Sequence, residues 1–81
     1  MYIETLGKRY NLVEFNSYGT YVGDTPNYVL ELLIDCTIEE FDKDDFKSTI
    51  IINADQYHIF FCYKLSEWYE ENGYVKVICV R

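Results

Sequence analysis

The sequence predicts an α+β fold, a mainly antiparallel β-sheet with one or two short helices packed on it. Three observations point there. Aromatic residues make up 19% of the chain and sit with Val and Ile in short runs, as strands favour. Period-two alternation of apolar residues recurs over residues 28–36 and 74–81. Thr37, Ile38, Glu39 and Glu40 spell a capping box, a helix-start signal in which the Thr hydroxyl and the Glu carboxylate satisfy each other's backbone N–H groups.

Taken in order, residues 2–6 and 9–15 read as two antiparallel strands, with Gly7 at the first central position of a type II′ turn. Residues 16–19 read as a turn and 20–22 as a short strand. Residues 23–27 form the clearest loop, because each member favours turns and Pro26 cannot donate to a ladder. Residues 28–36 place Tyr28, Leu30, Leu32, Ile34 and Cys36 on one strand face. The capping box then opens a helix over 38–46, its outer face acidic. Residues 48–53 and 57–64 follow as strands joined by 54–56, the second central to the sheet. Residues 65–73 read equally as a short helix, from the spacing of Leu65, Trp68 and Tyr69, or as a hairpin turning at Asn72 and Gly73. Residues 74–81 close the chain as a strand.

A chain of 81 residues suits one domain spanning 1–81. Leu32, Ile51, Phe61 and Val77 are the expected core, with Tyr28, Tyr57 and Tyr63 structural and Tyr10, Tyr18, Tyr21, Tyr69 and Tyr74 exposed. No run reaches the roughly 18 apolar residues that cross a bilayer, so no membrane association is expected. The first residues carry neither a basic nor a long apolar stretch of the secretory kind. Cys36, Cys62 and Cys79 have apolar flanks and read as reduced, buried thiols. A cytoplasmic location follows as the expectation, the host cytoplasm if the protein is viral.

Chemistry finds little purchase. His58 and Cys62 lie roughly 13 Å apart along one strand and cannot touch. The three cysteines and His58 lack the close pairs of a zinc site. An EF-hand counted from Asp42 would need Gly at its sixth position and Glu at its twelfth, where Lys47 and Asn53 stand. Phosphate-binding and nucleophile-elbow motifs do not occur. No cofactor, metal or enzymatic activity is expected.

Charge and tyrosine content carry the functional expectation. Fourteen acids against seven bases leave a net charge of −7, which opposes direct contact with nucleic acid and favours basic protein surfaces. The expected function is therefore a small protein-binding inhibitor or regulator that occupies a basic, nucleic-acid-binding surface. Small acidic phage proteins that block nucleases or CRISPR effectors share this composition, without any shared motif. The expected contact residues are Glu39, Glu40, Asp42, Asp44 and Asp45, together with Glu67, Trp68, Tyr69, Glu70 and Glu71. The alternatives are an immunity or antitoxin protein, or a self-associating accessory subunit, a homodimer pairing through the strand at 74–81 or through an aromatic face.

Overall fold

A computed structural model describes residues 1–5, 8–47 and 49–81. Seven strands run through them: β1 (Tyr2–Glu4), β2 (Arg9–Val22), β3 (Thr25–Ile34), β4 (Ile50–Asn53), β5 (Tyr57–Phe60), β6 (Lys64–Glu71) and β7 (Tyr74–Val80). They form one antiparallel sheet in the order β5-β4-β1-β2-β3-β7-β6. The expected α+β class is thereby corrected. Among the described residues the only helical element is a 3₁₀ turn, Lys43–Phe46, and the fold is nearly all β.

The helix expected over 38–46 fails for a local reason. Its capping box does close: Thr37 N–H donates to the Glu40 carboxylate at 3.0 Å and Glu40 N–H to Thr37 Oγ1 at 3.2 Å. One turn follows, with Phe41 N–H reaching the Thr37 carbonyl at 3.2 Å. Asp42 then adopts extended backbone, and its side chain accepts from Asp44 N–H at 2.9 Å to cap the 3₁₀ turn. Asp side chains compete for backbone donors in this way, and a second cap inside a helix ends it.

Strand β2 overrides the turn expected at 16–19. Its register with β3 runs unbroken from Glu14↔Leu33 to Val22↔Thr25, after an irregularity between Leu12 and Glu14. The hairpin closes instead on Gly23 and Asp24, where Gly23 alone takes a positive φ of 64°, as a type II′ turn requires. The loop expected at 23–27 thus shrinks to two residues, and Pro26 lies within β3 opposite Tyr21. Counting back from the turn, Pro26 occupies a position facing away from β2, where its missing N–H costs no ladder bond. Residues 65–73 resolve as the hairpin of β6 and β7, with Asn72 and Gly73 both at positive φ, 51° and 83°, as in a type I′ turn. The turn expected at Gly7 and the strand start expected at Ser48 fall on positions outside the described residues.

The buried residues form one cluster drawn from most of the sheet. It includes Ile3, Leu12, Leu30, Leu32, Ile34, Ile50, Ile52, Val75, Val77 and Cys79, together with Phe46. A single cluster requires the sheet to curl, and two observations mark the curl. The His58 ring of β5 lies 5.3 Å from Phe15 of β2, and residues 61–63 alone link β5, one edge of the sheet, to β6, the other. Strand β5 is therefore an edge and not central. Tyr57 and Phe61 point outward, 68% and 58% exposed, so Phe61 is not core, and Tyr57 keeps a structural tie only through its hydroxyl, which accepts from Asn53 Nδ2 at 3.1 Å. Ile51 is half-buried, whereas Leu32 and Val77 are fully enclosed. Tyr63 is buried as expected, Tyr28 is exposed, and Tyr10, expected at the surface, is buried.

Candidate partner-binding surface

The ten expected contact residues come from two stretches that the fold does bring together. Strand β6 packs beside the 3₁₀ turn, with the Trp68 ring 6.1 Å from Phe41. Glu39 and Glu70 line one shallow groove of about 140 Å³ with Thr37, Ile38 and Gly73. The alternation of β6 divides the rest. Trp68 pairs with Val77 and Glu70 with Val75, both on the core side, while Glu67, Tyr69 and Glu71 project from the opposite face. A single surface can therefore include Glu39, Trp68 and Glu70, but not Glu67, Tyr69 and Glu71 as well.

The carboxylates also differ in what they are already doing. Asp45 accepts the Tyr10 hydroxyl at 2.7 Å, and that hydroxyl accepts from Asp42 N–H at 3.2 Å. Burial first, and then the bond to Asp45, push the Tyr10 hydroxyl well above the usual phenol range. Asp44 pairs with Lys47 at 2.9 Å, which holds its carboxyl below the usual range. Hydrogen bonds from Thr37 do the same for Glu40. Glu40, Asp42, Asp44 and Asp45 thus hold the 37–47 segment in shape. Among the described residues Glu39, Glu67, Glu70 and Glu71 have no such partner.

The surface has a boundary that charge counting along the sequence missed. Beyond Trp68 lies a second, larger groove of about 550 Å³, lined by Lys43, Lys47 and Lys64 with Asp44, Phe46, Leu65 and Trp68. The Lys43 ammonium stands 5.8 Å from the centre of the Trp68 ring, within cation–π reach. Trp68, 39% exposed, lines this lysine-rich groove and stands two residues from Glu70 on the same face of β6. Only tertiary placement of Lys64 beside Lys43 and Lys47 reveals it.

The residues weighed for chemistry are dispersed. His58 sits between the rings of Phe15 and Phe60, at 5.3 and 6.5 Å. Cys79 is buried and its thiol pushed up to about 12 by that burial. Cys36 is half-buried and shifted upward, by burial first and by Glu40 second. Cys62 is exposed, at a positive φ of 63° in the link between the sheet edges, so the expectation that all three thiols are buried fails there. Among the described residues no three of His, Cys, Asp and Glu gather as a metal-holding group, and no helix is long and apolar enough to cross a membrane. Set against protein-family models, curated proteins and solved structures, the chain gives no match.

Proposed function

We propose that this chain is a protein-binding inhibitor or regulator that engages a basic surface of its target through the groove between Glu39 and Glu70. The observation that carries the reading is the convergence of these two carboxylates. They come from segments 31 residues apart, line one groove, and neither is engaged by a structural bond among the described residues. Two unpaired carboxylates at one site attract a guanidinium or ammonium group more strongly than scattered ones, because their fields add within a Debye length of about 8 Å. The net charge of −7 supplies longer-range steering. Trp68 offers rigid aromatic area at the margin, and the lysines beyond it repel a basic partner, which fixes where such a partner ends.

An arginine-rich peptide is the direct probe. Titrated into isotopically labelled protein, it should shift the amide signals of residues 37–39 and 70–73 first and saturably, with weakening as salt rises. Glu39→Lys with Glu70→Lys should remove that response while the fold persists. Shifts spread evenly over Glu14, Asp24, Asp55 and the remaining acids would show a surface without a site.

A further inference from the structure

The hairpin of β2 and β3 extends beyond the rest of the sheet. Strand β1 pairs with β2 only at Arg9, Tyr10 and Asn11, and β7 meets β3 only as far as Val29. Among the described residues, β2 from Glu14 to Val22 therefore has β3 on one side and no strand on the other. The two-residue turn sets which groups face that open side. Val22 and Thr25 form the first hydrogen-bonded pair, so Thr20, Tyr18, Asn16 and Glu14 bond to β3. The N–H and C=O groups of Phe15, Ser17, Gly19 and Tyr21 then point outward. The phase is supported on the other strand, where the Tyr28 carbonyl, opposite Gly19, faces away from β2 and accepts from Arg81 N–H at 2.9 Å.

Each other open edge has a device against pairing. Strand β5 spans only Tyr57–Phe60. Strand β6 carries Lys64, Glu67, Glu70 and Glu71 beside the 3₁₀ turn. The free end of β3 holds Pro26. The β2 edge has none of these: residues 15–22 contain no charge and no proline. Its faces mix exposed uncharged polar residues, Asn16, Ser17 and Thr20, with exposed Tyr18, Tyr21 and Val22, at 43%, 73% and 67%.

We propose that this edge is a self-association surface, on which the β2 strand of a second copy pairs antiparallel about a twofold axis near Tyr18. Charge selects the occupant. A basic strand would find no carboxylate on β2 itself between Phe15 and Val22, and Glu31 beside it on β3 already faces Lys76 at 3.7 Å. An acidic strand would add repulsion to a protein already at −7. An uncharged, β-prone strand fits, and β2 is one. The axis places Phe15 opposite Tyr21 of the other copy and Ser17 opposite Gly19, so all four outward residues find partners at once. The surface is separate from the Glu39–Glu70 groove and does not depend on its role.

Sedimentation and amide hydrogen exchange test this in the intact chain. Mass should rise toward a dimer with concentration, and the amides of Phe15, Ser17, Gly19 and Tyr21 should gain protection in step. Those of Asn16, Tyr18 and Thr20, bonded to β3, should be protected throughout. Gly19→Pro removes only an outward donor, at a residue whose φ is not positive, and should weaken association by about tenfold or more with unchanged circular dichroism. A monomer at every concentration, a dimer without new protection at these four amides, or a dimer that a folded Gly19→Pro variant retains would overturn the proposal. The exchange measurement needs no variant, so it decides the matter even if Gly19→Pro does not fold.

Discussion

Tyr10 shows how a single side chain sets the course of a segment. Its ring lies 5.6 Å from Phe46 and 6.3 Å from Phe41, and its hydroxyl bonds to both Asp45 and Asp42. Removing that hydroxyl leaves a half-buried carboxylate short of a donor, so Tyr10→Phe should cost about 1–3 kcal/mol in urea unfolding. Since burial and Asp45 raise the Tyr10 hydroxyl in the folded state, its contribution is complete below the ordinary phenol value of about 10. That contribution is lost as pH rises beyond it. Spectrophotometric titration should find one tyrosine that ionises last. Glu40 behaves with the opposite sign. Its lowered value gives stability present above the ordinary carboxyl value of about 4.3 and lost as pH falls. Glu40→Gln keeps the cap acceptor and should flatten acid unfolding in that window; an unchanged profile would mean the cap is idle. Among the thiols, Cys62 should label fast in native buffer and Cys79 only on unfolding.

At the scale of elements, the strands with one enclosed face were legible. Leu30, Leu32 and Ile34 alternate in β3, and Val75, Val77 and Cys79 in β7, and all are buried. Turn chemistry was half legible. Asn72 and Gly73 signal a hairpin because both must take positive φ, but Asn16, Ser17 and Gly19 resemble a turn while lying in a strand that β3 holds extended. The helix at 38–46 misled because a capping box reports only its first turn, and Asp42 caps again. Strand β5 misled because apolar residues stand on both of its faces, although only His58 and Phe60 turn toward the interior. Truncation separates these cases. Leu32→Ala and Val77→Ala, at fully enclosed positions, should cost about 2–5 kcal/mol. Phe61→Ala, 58% exposed, should cost little, within about 0.5 kcal/mol. Equal losses at all three sites would contradict the outward placement of Phe61.

Across the whole molecule, two surfaces of different character lie apart: an acidic groove between Glu39 and Glu70, and an uncharged strand edge along β2. Composition alone indicated an acidic surface. It did not indicate that four of the expected acids would be tied into local structure, that β6 would turn Glu67 and Glu71 to the other face, or that lysines would border Trp68. Strand β7, one route to self-pairing in the alternative reading, has a neighbour on each side, β3 and β6, so it offers no edge. The open edge is on β2, whose length could not be read through its turn-like residues.

The measurement that bears most directly on the acidic groove is the association rate with a partner recovered on the immobilised chain from cells of its source, compared for the wild type and the Glu39→Lys, Glu70→Lys variant. Charges at an interface rim act chiefly on encounter. The variant should therefore bind about tenfold more slowly or worse at low salt, with the difference shrinking as salt screens it, while Gly19→Pro binds at the wild-type rate. Equal rates for the wild type and the charge-reversed variant at low salt would contradict the account.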